Sequence, residues 1–148
     1  MLTIYQRKLQ YKDVSIERRI EPGLTAHGSP GELKQILSNL FSNAIDASHD
    51  GGQIVVCARL WRHPKTRQRG VRFAIADNGV GISAEDKKRI FTPFFSTKKD
   101  VGTGLGLWIT RDLLAKKSGY IRLRSRQAKG TIVGFFVPDT EAQLAEAV

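Results

Sequence analysis

NLFSNA (residues 39–44) is followed in order by DNGVGI (77–82), FTPFFSTK (91–98) and GTGLGL (102–107). Each of these motifs alone is weak evidence, because short strings of polar residues and glycines recur by chance. All four occur in one order within 69 residues, and each falls on a predicted element that suits its chemistry. They therefore predict a single composite site and the fold that assembles it.

The spacing of apolar residues around the motifs predicts the secondary structure. Between Ser29 and Ser48 apolar residues recur at the i, i+3, i+4 and i+7 spacing of a helix, and SPGE (29–32) has the residues of a capped helix start. Alternation predicts an edge strand at 14–20 and a hairpin of strands at 54–60 and 71–77 around a basic loop at 61–70. The later elements are a short helix at 83–91, a mobile segment at 92–103, a helix at 104–117 and two strands at 120–125 and 131–137. This order predicts an α/β two-layer sandwich, with one mixed β-sheet covered on one face by about three helices.

Three side chains in the first two motifs suit a nucleotide and its metal ion. Asn39 and Asn43 are four residues apart and share a helix face, and amide oxygens are ligands that Mg²⁺ accepts. Asp77 ends a buried strand, and its carboxylate accepts hydrogen bonds, which matches the exocyclic amine of adenine; Gly79 and Gly81 let the backbone approach the ring. The alternatives are asparagines that border the core and an Asn-Gly turn in which Asp77 caps the next helix.

The other two motifs suit the phosphates. Gly102, Gly104 and Gly106 precede an apolar helix, and a glycine-rich helix N-terminus offers free N–H groups to phosphate oxygens. The pattern is neither a dinucleotide fingerprint nor a P-loop, because no buried strand leads into it and no Gly-Lys-Ser/Thr follows. Lys98 supplies a positive charge for a phosphate, with a solvated surface lysine as the alternative. Together the motifs predict a site for ATP and Mg²⁺.

Composition and charge narrow the class of protein. The 148 residues include 41% hydrophobic and 26% charged residues, which is typical of one soluble domain. No apolar run of 18 residues occurs, the N-terminus lacks the features of a signal peptide, and the single cysteine fits a reducing compartment, so we expect a cytoplasmic domain. The net charge of +10 is spread over 7–12, 59–72 and 111–129 without a recognisable nucleic-acid motif, so we expect no dedicated nucleic-acid binding.

With its four motifs, the chain resembles the catalytic ATP-binding domain of two-component sensor histidine kinases, within the superfamily of gyrase, heat-shock chaperone and mismatch-repair ATPases. The wording NAIDA, FFSTK and GTGLGL is similar to the nitrogen-regulation subgroup. The resemblance implies the Bergerat fold at 14–138 with a flexible ATP lid at about 92–103. Residues 1–13 are then a linker or the end of an upstream helix, and 139–148 are a C-terminal tail.

The resemblance also implies roles for individual residues. Asn43 matches the Mg²⁺-binding asparagine, Asn39 a supporting ligand, and Asp77 the adenine-reading aspartate, while Asn43 and Lys98 are the implied catalytic residues. Thr131 matches a threonine that supports the aspartate. The full set of implied nucleotide-binding residues is Asn39, Asn43, Ala47, Asp77, Gly79, Gly81, Ile82, Thr97, Lys98, Gly102, Thr103, Gly104, Leu105, Gly106, Leu107 and Thr131.

Two departures from the family pattern bear on the reaction. Hydrolysing relatives carry a glutamate base where this chain has Asn39, and many kinases have a lysine or histidine where it has Asp46, so phosphate contact from that position is in doubt. None of His27, His49 and His63 has the helical setting of a phosphorylated histidine. The resemblance thus implies transfer of the γ-phosphoryl group to a histidine on a separate dimerisation domain, and indirectly to a response regulator.

The same resemblance implies that this domain alone is monomeric and that the parent protein is either soluble or anchored to a membrane. The alternatives are a stand-alone serine kinase of the anti-sigma-factor type and a catalytically silent docking module.

Overall fold

The computed structural model describes residues 2–26, 28–97 and 102–139. Five strands and three α-helices make up most of this part of the chain, with one short 3-10 turn before the third helix. The elements in chain order are α1 (Leu2–Tyr11), β1 (Ser15–Ile20), α2 (Pro30–Ala47), β2 (Gln53–Arg62), β3 (Arg69–Asp77), the 3-10 turn (Asp86–Lys88), α3 (Gly106–Ala115), β4 (Tyr120–Arg126) and β5 (Gly130–Pro138).

The strands form one mixed sheet in the order β1-β2-β3-β5-β4. β1 runs parallel to β2 at one edge, and the other neighbouring pairs are antiparallel. The helices pack on one face, with α2 contacting both α3 and β3. The predicted mixed two-layer sandwich, its edge strand at 14–20 and its hairpin are therefore confirmed.

The core lies between α2 and the inward-facing residues of the sheet. Phe41 and Ile45 of α2 meet Ile54, Ile75 and Phe135 of the central strands, and all five side chains are buried. Burial of one such side chain contributes about 1.5–3 kcal/mol, so this layer fixes the position of α2 against β3. The helix that carries the two asparagines thus rests on the strand that ends at the aspartate.

Both ends of α2 are capped. Ser29 precedes Pro30 and its hydroxyl accepts the backbone N–H of Glu32, as the sequence predicts. At the other end the Lys12 ammonium donates to the carbonyl oxygens of Ile45, Asp46 and Ser48, at 3.1, 3.1 and 2.9 Å. A cation at a helix C-terminus is favourable because the last carbonyls carry partial negative charge. The segment before β1 therefore fixes the C-terminal end of α2.

Three predicted elements differ from the structure. The short helix expected at 83–91 is only a 3-10 turn, in which the Ser83 hydroxyl accepts the backbone N–H of Asp86. The helix expected from residue 104 begins at Gly106, because Gly104 has a φ of +68°, which a right-handed helix excludes. The basic loop expected at 61–70 is shorter, since β2 and β3 pair as far as Arg62 and Arg69.

The first segment contains the helix Leu2–Tyr11, and the predicted division of the chain into linker, domain and tail stays a prediction. No helix among the described residues is long and apolar enough to cross a bilayer. His27, Lys98, part of the predicted lid (98–101) and the tail from residue 140 lie outside the described residues, so the flexibility of the lid stays a prediction.

Candidate functional site

A cavity of about 520 Å³ lies between α2, the inner face of the sheet and the N-terminus of α3. Its size suits a small-molecule ligand. Thirteen of the sequence-predicted residues line it: Asn39, Asn43, Ala47, Asp77, Gly81, Ile82, Thr97, Gly102, Thr103, Gly104, Gly106, Leu107 and Thr131. Gly79 and Leu105 lie beside the cavity without lining it, and Lys98 lies outside the described residues.

Asp77 ends β3 at one end of the cavity. One oxygen of its carboxylate accepts the backbone N–H of Gly79 at 3.0 Å, and β5 pairs with it through Thr131. Burial raises the pKa of Asp77, while the backbone N–H groups of Gly79 and Thr131 act in the opposite direction. Asp77 is therefore a partly desolvated acceptor whose orientation is supported by hydrogen bonds from the backbone.

The two glycines after Asp77 are required by close approach of the protein's own backbone. A Cβ at Gly79 would lie 2.0 Å from the carbonyl oxygen of Ala47, at the end of α2. A Cβ at Gly81, whose φ is +67°, would lie 2.1 Å from the carbonyl oxygen of Arg126. The sequence predicted that these glycines let the backbone approach a bound ring. In the structure they let the loop after Asp77 pack closely against the end of α2 and the β4–β5 turn.

Thr131 belongs to a hydroxyl network that sequence reasoning missed. Its hydroxyl lies 2.8 Å from the Ser125 hydroxyl, which accepts the backbone N–H of Ile82 at 2.8 Å and donates to the carbonyl of Gly130 at 2.9 Å. The inward position of Ser125 on β4, opposite Thr131, was the available signal. The network fastens the loop after Asp77 to the last two strands.

The two asparagines line the cavity from α2. The amide nitrogen of Asn39 donates to the carbonyl of Gly106 at 3.2 Å and to the hydroxyl of the buried Thr110 at 3.4 Å. These bonds tie α2 to the first turn of α3. Asn43 lies one helical turn further and lines the cavity, as does Asp46, whose carboxylate is 3.6 Å from the Lys8 ammonium.

The N-terminus of α3 closes the other end. Leu105 precedes its first residue and offers no side-chain cap, so the first N–H groups have no side-chain acceptor at the N-cap. Gly104 has a φ of +68°, and a Cβ there would lie 2.4 Å from the backbone of Phe94, so the two described ends of the predicted lid are packed together. Such a helix terminus favours an anionic group.

The cavity has polar ends and an apolar middle. Ile75, Leu123 and Val133 from the sheet, with Ile90 and Phe95 from the segment after β3, supply apolar surface that suits a flat ring. No lysine or arginine occurs among the described residues that line it, and its acidic residues there are Asp46 and Asp77. The described lining therefore offers N–H donors and neutral oxygens but no cationic side chain.

Comparisons with known proteins agree with this geometry. The family described as histidine kinase-, DNA gyrase B- and HSP90-like ATPase matches residues 28–141. The chain is 36% identical over 126 residues to the sensor histidine kinase ZraS of Klebsiella oxytoca, covering 84% of this chain and 26% of that protein. It is 35% identical over 129 residues to sporulation kinase B of Bacillus subtilis, covering 86% and 28%. The chain thus spans about a quarter of the length of these relatives.

Solved structures give the same result. The catalytic domain of the histidine kinase ThkA, in a nucleotide-free form, superposes with a TM-score of 0.77 at 28% identity, covering 93% of this chain and 86% of that one. Full-length ShkA in complex with AMPPNP superposes with a TM-score of 0.75 at 27% identity, covering 92% and 28%. Membership of the nitrogen-regulation subgroup stays a prediction. The chain belongs to the histidine kinase-, DNA gyrase B- and HSP90-like ATPase family, and its fold is that of the catalytic domain of sensor histidine kinases.

Proposed function

We propose that this domain binds ATP with Mg²⁺ and donates the γ-phosphoryl group to a histidine on a separate helical dimerisation domain. The observation that carries the proposal is the cavity itself, with a desolvated aspartate at one end and the uncapped N-terminus of α3 at the other. A purine fits the apolar middle, and a phosphate chain extends toward α3. ShkA, which has a similar fold, is known with the ATP analogue AMPPNP.

Asp77 is the proposed adenine reader. An ionised carboxylate offers only acceptors, so it pairs with the N6 amine of adenine and rejects a base with a carbonyl at that position. The bond from the Gly79 N–H occupies one carboxylate oxygen and fixes the orientation of the other. The Ser125–Thr131 pair holds the neighbouring backbone, so the acceptor is preorganised.

Asn43 is the proposed Mg²⁺ ligand, with Asn39 in support. When bound, Mg²⁺ would neutralise part of the negative charge of the phosphates. The donor set fits this ion, because the described lining combines amide oxygens with an absence of competing lysine and arginine side chains. Asn39 also donates to Gly106 and Thr110, so it couples the metal side of the site to α3. Lys98 is proposed as a further phosphate contact from the lid segment.

The proposed reaction needs positioning more than base chemistry. A histidine acceptor supplies its own nucleophilic nitrogen, whereas hydrolysis needs a base to activate water. Asn39 stands where that base would be and cannot take a proton. The domain thus orients the γ-phosphate and stabilises its charge, as in other phosphoryl transfers that depend on positioning and electrostatics.

The experiment is a transfer assay with γ-labelled ATP and separately produced histidine-bearing helical domains from the similar sensor kinases. We expect Mg²⁺-dependent label on the acceptor that is lost in acid, and no label with the Asn43→Ala variant. Acid-stable label on a serine would favour a serine kinase. Nucleotide binding without transfer to any acceptor would reduce the domain to a docking module. We also propose that the phosphorylated histidine passes its group to a response regulator, which is tested by transfer from the labelled acceptor. The domain alone is proposed to be monomeric, which is tested by sedimentation.

A further inference from the structure

The face of the sheet opposite the helices carries a shallow trough with a floor of small residues. Cross-strand pairing aligns Cys57, Ala74 and Gly134 in one row and places Ala76 beside Ile132 in the next. Side chains alternate between faces along a strand, so these positions point away from the helices. A Cβ at Gly134 would meet only one atom, at 3.5 Å, so the floor is open above the backbone, and Ile132 is half exposed.

Arginines border this floor on both sides, and together with it they define the trough. Arg19 and Arg59 stand on the β1–β2 side, and Arg122, Arg124 and Arg126 stand on β4; all five are exposed. Among the described strand residues that point to this face, Glu17 is the only acidic one, and its carboxylate is already paired with Arg19 at 2.6 Å. The trough therefore combines an apolar floor with a wall of three arginines on β4 and, on the opposite side, with Arg59 and the Arg19–Glu17 pair.

We propose that the trough docks an acidic amphipathic helix of a partner protein. β2 and β4 are three strand spacings apart, about 14 Å, and a helix with its side chains is about 10–12 Å across. A helix laid along the trough packs an apolar stripe on the small floor residues and directs glutamates or aspartates from both flanks to the arginines. Docking adds a second helical layer on the face of the sheet that no described helix covers, remote from the proposed nucleotide cavity.

The aromatic side chains at one end of the trough, Trp61, Tyr120 and Phe136, argue against single-stranded nucleic acid as its ligand. The guanidinium groups of Arg59 and Arg72 lie 5.0 and 4.9 Å from the centre of the Trp61 ring. Phe136 is 1% exposed, and Arg122 lies 5.3 Å from the centre of the Tyr120 ring. Base stacking needs an open aromatic face. These rings are occupied, whereas the guanidinium groups can still pair with carboxylates.

The test uses a fluorescent 18-residue helical peptide with an alanine–leucine stripe and glutamates on both flanks. Its counterpart with glutamine in place of each glutamate controls for apolar binding alone. Affinity is measured for the full chain, for Arg122→Glu/Arg124→Glu, and for the matched control Arg18→Glu/Lys34→Glu, which makes the same charge change on the helical side. ADP affinity is measured on each, and backbone amide shifts map the bound peptide.

We expect the glutamate peptide to bind at low salt and to shift backbone amide signals along β2, β3, β5 and β4. The glutamine peptide should not bind. The β4 variant should weaken binding about tenfold or more and the control variant less than twofold, because only the former reverses wall charges. Both should keep wild-type ADP affinity, which separates this inference from the proposed function. Equal weakening in the two variants, shifts confined to the nucleotide cavity, or face-dependent binding of poly-uridine or anionic vesicles in place of the peptide would overturn it.

Discussion

Replacing Asp77 with asparagine should change nucleotide affinity and fold stability in opposite directions. The partial burial of this side chain favours its role as an acceptor for the nucleotide but destabilises its ionised form in the fold. The substitution keeps the shape of the side chain, and the asparagine carbonyl still accepts the N–H of Gly79 that lies 3.0 Å from the carboxylate. The amide NH₂ then occupies the position that faces the proposed adenine amine. The amide NH₂ of asparagine and the adenine amine are both donors, so they cannot form the hydrogen bond that the carboxylate accepts.

The loss of affinity follows from that mismatch. A hydrogen bond to a charged group contributes about 1.5–3 kcal/mol, and a buried donor left unsatisfied costs about 1–3 kcal/mol. The sum is about 2.5–6 kcal/mol, and since each 1.4 kcal/mol is tenfold, ADP affinity should fall by at least about 60-fold.

The same substitution should leave the nucleotide-free domain at neutral pH as stable as the wild type or make it more stable. Burial raises the pKa of Asp77, so the folded state holds a proton that the unfolded state releases in the interval above the ordinary carboxyl pKa. Stability therefore falls as the pH rises through that interval, and at neutral pH the ionised group destabilises the fold. Asparagine removes this effect, so the variant should be as stable as the wild type or more stable at pH 7, with the difference shrinking toward pH 3.

The assay pairs calorimetric titration with ADP and urea denaturation at several pH values. Asp112→Asn is the matched control, because Asp112 is a partly exposed acid on α3 whose carboxylate pairs with Lys116 at 2.8 Å. It should leave both affinity and the pH dependence almost unchanged. Wild-type ADP affinity in Asp77→Asn, or a loss of stability at pH 7 larger than in the control, would refute the reasoning.

Three further substitutions test other contacts. Gly79→Ala should lower the free energy of unfolding by about 1–3 kcal/mol and weaken ADP binding, because its Cβ would lie 2.0 Å from the Ala47 carbonyl oxygen; Gly134→Ala, with its nearest atom at 3.5 Å, is the control and should change neither in urea denaturation and titration. Lys12→Met should cost about 1–2 kcal/mol by removing the ammonium from three helix-terminal carbonyls, and unchanged denaturation would contradict that role. Ser125→Ala should cost about 1–3 kcal/mol and weaken ADP binding severalfold, since it leaves buried partners without a bond; wild-type affinity would remove it from the site.

The parts of the fold that the sequence predicts correctly depend on strong local signals. α2 has both a cap and a full apolar stripe, so its start at Pro30 and its end near Ser48 were predicted within one residue. The hairpin of β2 and β3 was predicted from alternation, but not its full length. Its last two pairs are Trp61–Gly70 and Arg62–Arg69. The guanidinium groups of Arg59 and Arg72 lie over the Trp61 ring, a contact between the two strands that alternation alone does not reveal.

Lining residues that belong to a short motif were predicted from the sequence. Residues that reach the site or its neighbourhood only through tertiary packing were not predicted. Asp77 and Asn43, which both line the cavity, were predicted because their motifs place a carboxylate and an amide on defined elements, and their roles stay a prediction. Ser125 and the apolar middle of the cavity were missed, because their side chains meet only through the pairing of β4 with β5 and the packing of the later segment. The reason for Gly79 also needed coordinates, since the atom that excludes a Cβ belongs to a helix end 32 residues earlier.

The most direct measurement of the central claim is calorimetric titration of the purified chain with ADP and with a nonhydrolysable ATP analogue, each with and without Mg²⁺. The account predicts saturable one-to-one binding of both nucleotides, tighter for the triphosphate when Mg²⁺ is present and reduced to the Mg²⁺-free value by Asn43→Ala. Absence of binding under every condition, by a chain whose amide spectrum shows that it is folded, would contradict the assignment of this cavity to ATP.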